Sequence, residues 1–149
     1  MRAVIQRVRE SSVVVDGQTI AGIGAGMLVL LGVEQGDREK EDLGYLADKI
    51  PQLRIFADSE GKMNRSLLEI GGQMLIVSQF TLLADCRKGR RPNFLRAETP
   101  QRASAMLEML RERLVGQGIA VQTGQFGADM QVYLINDGPV TILLDSRTD

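Results

Sequence analysis

Apolar and polar positions change their period several times along the chain, and each change marks an element. Residues 1 to 34 read as strands: Val13-Val14-Val15 runs into Asp16-Gly17, a pair suited to the positive φ angles of a two-residue hairpin turn. Gly22, Gly24 and Gly26 then lead into Met27-Leu28-Val29-Leu30-Leu31, a short buried strand. From Asp37 the spacing becomes helical, with Leu43, Leu46, Ala47 and Ile50 on one face, Asp37 at the cap, Glu39 and Glu41 near the positive end, and Pro51 marking the stop. Leu53 to Phe56 reads as a strand and Asp58-Ser59-Glu60-Gly61-Lys62 as turn chemistry. Met74 to Val77 makes another apolar strand that passes directly into Ser78-Gln79-Phe80-Thr81.

The second helix is clearer. Thr99 caps it, Pro100 suits its first position, Ala103, Met106, Leu107, Leu110 and Leu114 form the buried stripe, and Gly116 and Gly118 close it. Two strands follow, Gln131 to Ile135 and Val140 to Leu144, joined by Asn136-Asp137-Gly138-Pro139, which reads as a hairpin loop. The order strands, helix, strands, helix, strands predicts an α/β domain with a mixed sheet and helices covering one side. No repeat, linker or low-complexity segment divides it, so residues 1–149 are expected to form a single domain.

Composition narrows the chemistry. At 149 residues, 44% hydrophobic and 25% charged, the chain can bury an ordinary core. Its longest apolar stretch, Gly26 to Val33, is far too short to span a membrane. Arg2, Gln6, Arg7, Arg9 and Glu10 interrupt any secretory signal at the start, and the lone Cys86 rules out an internal disulfide, so a cytoplasmic location is expected. The sharpest number is zero histidines, which removes Ser-His-Asp and Cys-His machinery, imidazole acid–base catalysis and nearly every standard zinc site. No metal and no cofactor are expected.

Two motifs fail on their spacing. The glycines at 22, 24 and 26 miss the third position of a dinucleotide fingerprint, and no helix follows Met27. A calcium loop from Asp58 to Glu69 has the right length but puts Lys62 where a ligand oxygen belongs.

Charge is gathered in one place. Arg87, Lys88, Arg90, Arg91 and Arg96 lie close together with no acidic residue among them, and without these five the rest of the chain carries −6 against −1 for the whole. This is the footprint of a local phosphate contact, though a solvated loop has the same composition. The overall balance is too acidic to coat nucleic acid, and duplex DNA is not expected as a partner. The six aromatics, Tyr45, Tyr133, Phe56, Phe80, Phe94 and Phe126, are too few for a stacking platform, though one phenylalanine can hold one base. Ser78 and Thr81 supply hydroxyls beside an apolar strand, yet neither has a histidine to activate it.

Six runs, spread from the first residue to the last strand, together resemble the D-aminoacyl-tRNA deacylases, also called D-tyrosyl-tRNA deacylases. They are Met1 to Val8, Leu53 to Phe56, Gly61 to Asn64, Ser78 to Leu82, Phe126 to Met130 and Asn136 to Thr141. Asn93 departs from the family's usual Arg-Pro-Ser-Phe stretch. The resemblance implies a fold of mixed, mostly antiparallel β-sheet layers with two main helices packed on one side. It also implies a cytoplasmic homodimer that hydrolyses the ester between a D-amino acid and the terminal adenosine of tRNA. By the same resemblance Ser78, Gln79, Phe80 and Thr81 line the catalytic pocket, and Phe126 and Met130 hold the adenosine. Gly138-Pro139 is then a cis pair that reaches into the partner subunit's pocket as a chirality gate, supported by Arg7. Arg87, Lys88, Arg90 and Arg91 are candidates for tRNA phosphate.

That chemistry agrees with a chain lacking histidine. An aminoacyl ester is already activated and has a vicinal ribose hydroxyl beside it, so substrate-assisted hydrolysis with backbone N–H groups around Ser78 to Thr81 as oxyanion donors is expected. A gate of main-chain oxygens ignores side-chain identity, so glycyl-tRNA is expected to pass. Two other readings are a non-catalytic RNA-binding module using the basic loop, and a structural dimer without chemistry.

Overall fold

The computed structural model describes residues 1–148. Eight strands and three α-helices alternate along it: β1 (Arg2–Val15), β2 (Gln18–Ile23), β3 (Gly26–Gly32), α1 (Gly44–Lys49), β4 (Phe56–Ala57), β5 (Met63–Arg65), α2 (Leu67–Ile70), β6 (Gln73–Ser78), α3 (Pro100–Gly116), β7 (Ala120–Thr123) and β8 (Gln131–Asp145). The main sheet runs β2-β1-β3-β6-β7, with β8 on the other edge of β1 and β4-β5 as a separate small pair. It is mixed and mostly antiparallel: β1 pairs antiparallel with β2, β3 and β8, whereas β3, β6 and β7 run parallel.

The alternation of side chains across β3 and β6 builds two apolar clusters, one on each face. Met27, Val29, Leu31, Met74 and Ile76 meet Leu43, Leu46, Ala47 and Ile50 of the first helical segment and Met106, Leu110 and Leu114 of α3. Leu28, Leu75 and Val77 on the opposite face meet Val8, Val13, Ala21 and Ile23, all from strands. β1 serves both clusters because it is long: residues 2–8 pair with β3 and residues 11–15 with β2. The β1–β2 hairpin turns at Asp16 and Gly17, with φ of +50° and +75°, as the Asp-Gly pair predicts.

Several expectations need correction. The first helical segment opens as a π-turn over Glu39–Leu43 before α1 and closes as a 3-10 turn over Ile50–Gln52. Asp37 does not cap it: its carboxylate accepts from the Met1 ammonium at 2.8 Å and from the Glu34 N–H at 2.6 Å, because a buried cation takes the nearest anion. Asp42 instead receives the Arg38 N–H at 2.7 Å. Thr99 sits at the cap position of α3, but its side chain makes no cap bond; its carbonyl accepts from Ala103 N–H at 2.9 Å. The strand predicted over Leu53 to Phe56 is confined to Phe56–Ala57. Three elements escaped the pattern, β5, α2 and β7, although α2 carries a full capping box between Ser66 and Glu69.

The largest correction concerns residues 136–139. They turn no hairpin, since both flanking segments belong to the one strand β8 and pair with the same strand β1. The register runs from Arg2↔Asp145 to Gln6↔Thr141 and resumes at Val8↔Asn136, so Arg7 alone stands opposite residues 137–140, which are pushed out of the ladder.

Candidate active site

The carboxyl end of the parallel strands is where the chain gathers polar groups next to an apolar hollow, as open α/β sheets commonly do. β6 is buried from Met74 to Val77 and delivers Ser78 at its last position, opposite Leu31 of β3. The Gln79 N–H donates to Leu31 O at 2.8 Å, and the chain then turns through a 3-10 segment, Phe80–Leu83, anchored by the fully buried Leu83. Phe80 and Thr81 head that turn, where the first N–H groups have no intrahelical acceptor. The Gln79 amide donates to Thr81 Oγ1. Beyond β7, Gly124 N–H donates to Ile76 O at 2.9 Å and starts the loop that carries Phe126 and Met130.

These segments enclose a cavity of about 470 Å³, of the size that holds small ligands. Ser78, Gln79, Phe80, Phe126 and Met130 line it, and Ala103 and Leu107 of α3 form part of its apolar wall. Sequence periodicity assigned those two α3 residues to the core; they are only half buried because they face this cavity. Thr81 is exposed and outside the lining, tied to the site through Gln79.

Glu98, which the sequence pattern passed over, is the one carboxylate of the lining. The Thr99 N–H at 2.8 Å is the main cause that holds its carboxyl below the usual range; burial opposes this and Arg102 adds to it. A carboxylate shifted in this direction is a weaker base than a free one. Phe80 is 55% exposed and meets the edge of Phe94 with ring centres 5.2 Å apart.

The basic loop divides on inspection. Arg87 is paired with Asp85, whose carboxyl is strongly lowered by the hydrogen bonds from Arg87, and Arg96 is held by Glu34 at 2.5 Å. Among the described residues, Lys88, Arg90 and Arg91 are exposed with no ion pair.

Gly138 and Pro139 lie elsewhere, in the excursion of β8 and outside the lining of this cavity. Both are exposed, their peptide bond is cis, and Gly138 has φ of +146°, a region that favours glycine. Arg7 Nε donates to Asp137 O at 2.7 Å, and its Nη1 donates to Ile55 O, so the guanidinium ties the excursion to the segment before β4. No group of three or more acidic or cysteine side chains is gathered among the described residues in a way that could hold a metal ion.

A family profile described as D-Tyr-tRNA(Tyr) deacylase matches residues 4–145. The chain is 62% identical over 146 residues to a D-aminoacyl-tRNA deacylase of Roseiflexus castenholzii, covering 98% of this chain and 92% of that one. It is 55% identical over 146 residues to the enzyme of the same name from Thermus aquaticus, covering 98% and 95%. Among solved structures, the c-Myc DNA Unwinding Element Binding Protein superposes with a TM-score of 0.91 at 40% identity, covering 97% of this chain and 98% of that one. A probable eukaryotic D-amino acid tRNA deacylase superposes at 0.82 with 18% identity, over 96% and 97% of the two chains, a likeness of fold.

Proposed function

This chain belongs to the D-aminoacyl-tRNA deacylases, a family of hydrolases, and from that premise we propose how its own residues perform the reaction. The cavity lined by Ser78, Gln79, Phe80, Phe126 and Met130 receives the aminoacylated adenosine, with Phe126 and Met130 against the base. Water attacks the ester carbonyl, the bond to the ribose oxygen breaks, and that oxygen leaves with a proton relayed by the neighbouring 2′-hydroxyl. The N–H of Phe80, a residue of the lining, donates to the developing oxyanion, since that of Gln79 is committed to Leu31. Thr81 positions Gln79 and forms no acyl-enzyme.

The observation that carries this reading is the pairing of an apolar, nucleoside-sized hollow with a polar turn at one end. One well-placed oxyanion donor is worth about 10²–10³ in rate, so a substrate that brings its own hydroxyl needs little else.

Stereoselection falls to Gly138 and Pro139. Their carbonyl oxygens accept from the ammonium group of a D-amino acid and occupy the space an L side chain requires, while glycine passes. Their absence from the lining of their own chain's cavity favours a homodimer in which each subunit completes the other's site, with Arg7 as support. Exposed Tyr133, Ile135 and Leu143 along β8 are apolar area for that interface. Lys88, Arg90 and Arg91 meet tRNA phosphates, and with a net charge of −1 the chain is suited to a local RNA contact rather than to duplex DNA. The enzyme acts in the cytoplasm as a single domain over residues 1–149.

Incubation with D-Tyr-tRNA and L-Tyr-tRNA in EDTA tests the reading. Rapid release of D-Tyr alone supports it. Salt-sensitive binding without turnover would assign an RNA-binding module instead, and a trapped acyl-enzyme abolished by Thr81→Ala would replace the substrate-assisted step with a covalent one.

A further inference from the structure

An excursion of four residues from a strand forfeits its ladder hydrogen bonds, and something else must fix its shape. Here the side chain of Asn136 takes that part. Its Oδ1 accepts from Val140 N–H at 2.8 Å, while its Nδ2 donates to Val140 O and to Thr141 Oγ1, both at 3.3 Å. The amide thus stands in for a missing peptide partner and closes a ring across the base of the 137–140 excursion. Arg7 holds the outer limb at Asp137 O, and Arg9 holds the Asp137 carboxylate at 3.1 Å. Gly138 and Pro139 are left as the exposed tip of a loop pinned on both limbs.

We propose that Asn136 is a positioning residue for stereoselectivity, whose amide sets where the Gly138 and Pro139 carbonyls point. The inference rests on the gate reading given above. Residue chemistry makes the role specific: aspartate keeps the acceptor for Val140 N–H but loses both donors, alanine keeps neither, and glutamine is one methylene too long. Asn136 belongs to neither apolar cluster, and its side-chain bonds stay within residues 136–141. Its loss therefore leaves the flanking β1–β8 pairing in place and acts on the loop alone.

The test uses the full-length enzyme, D-Tyr-tRNA and L-Tyr-tRNA, with kcat, KM and Tm measured for Asn136→Ala, Asn136→Asp and Gly138→Ala. The last displaces the tip directly, because a Cβ there would stand 2.8 Å from Val140 Cγ2 and 2.9 Å from Arg7 Nη2. Expected for Asn136→Ala is a fall of about tenfold to a hundredfold in kcat on D-Tyr-tRNA and in the D/L ratio of kcat/KM, with KM within about twofold and Tm little changed. Asn136→Asp falls between it and wild type. If Gly138→Ala lowers the ratio and both Asn136 variants leave it intact, the amide does not set the gate and the inference is wrong. If all three leave the ratio intact, the gate reading itself fails and takes the inference with it. A loss of Tm in proportion to activity, at constant ratio, assigns Asn136 a merely structural role and also overturns the proposal. Should Asn136→Ala not fold, the ratio for Asn136→Asp decides in the same way.

Discussion

β1 and β8 are tied together by polar groups at two places, at the chain ends and at mid-strand, and the two ties are built on opposite principles. At the ends the centre of the tie is charged and buried, with Arg2 and Arg147 partly exposed around it. The Met1 ammonium and the Asp37 side chain are both 0% exposed and 2.8 Å apart, Ser146 Oγ accepts from the same ammonium at 2.6 Å, and Arg147 reaches Asp37 at 3.0 Å. Arg2 pairs with Asp145 alongside at 2.8 Å. At mid-strand the clasp is one neutral amide beside an exposed tip, helped by the Arg7 guanidinium, which donates to carbonyl oxygens, and by the exposed Arg9–Asp137 ion pair. Buried charges leave no choice of partner, because removing one strands the other; a neutral clasp at the surface can be lost without unfolding anything. The first arrangement suits stability and the second suits aim.

The hardest blow to that contrast is Asp37→Ala. It leaves the Met1 ammonium with Asp42 at 4.0 Å as its nearest carboxylate and frees Arg147 from its shortest ion pair, so about 3–5 kcal/mol of stability and roughly 10 °C in Tm are expected to go. The D/L ratio of the folded fraction, measured well below the new Tm, is expected to stay at the wild-type value. A changed ratio at unchanged Tm would erase the distinction between the two ties.

Arg7→Ala is the smaller, opposite case. Its side chain is largely buried and donates to Asp137 O and Ile55 O, so a cost of about 1–3 kcal/mol is expected from the two carbonyls left behind. The signature is catalytic: kcat on D-Tyr-tRNA falls about tenfold or more, and Arg7→Lys, which cannot bridge both carbonyls, recovers little of it. Recovery of full activity by lysine would mean that charge alone matters there.

What the sequence made legible follows the same divide. The stripes Leu43-Leu46-Ala47-Ile50 and Met106-Leu110-Leu114 predict buried faces, and the structure buries all seven. The same periodicity could not separate Ala103 and Leu107 from the core, because a helical stripe records apolar faces and says nothing of whether they meet the core or a cavity. Asn136-Asp137-Gly138-Pro139 is turn chemistry whether the chain reverses or bulges; only the shared partner β1 decides, and register is a long-range property. Ala120–Thr123 is too short, and buried on too little of its surface, to stand out as a strand between its glycines. The cation cluster was legible as composition, but Arg96 is consumed by Glu34, 62 residues away, a pairing no local pattern contains. Ser66 and Glu69, by contrast, announced α2 in the plain spacing of a capping box, which the apolar pattern alone overlooks.

The smallest expected effect is a matter of pH and belongs to the buried end. Burial is the largest influence on the Asp42 carboxyl and pushes it upward, but the Ser146 hydroxyl, the Arg38 N–H, the Met1 ammonium and Arg147 together outweigh it, so the group titrates below its ordinary value. A carboxylate depressed in the folded state stabilises the fold above its unfolded pKa of about 3.9, and that contribution is lost as pH falls through the folded value. Stability should therefore decline on acidification from about pH 5 downward. In Asp42→Asn the amide retains an acceptor for the Arg38 N–H but cannot ionise, so a loss of about 1–2 kcal/mol is expected at pH 7 and a difference from wild type that shrinks towards pH 2. Urea melts of the two proteins at intervals between pH 7 and pH 2 measure it. A gap that stays constant across this range would mean that Asp42 contributes through hydrogen bonding alone, and the buried end would then differ from the mid-strand clasp in depth but not in charge.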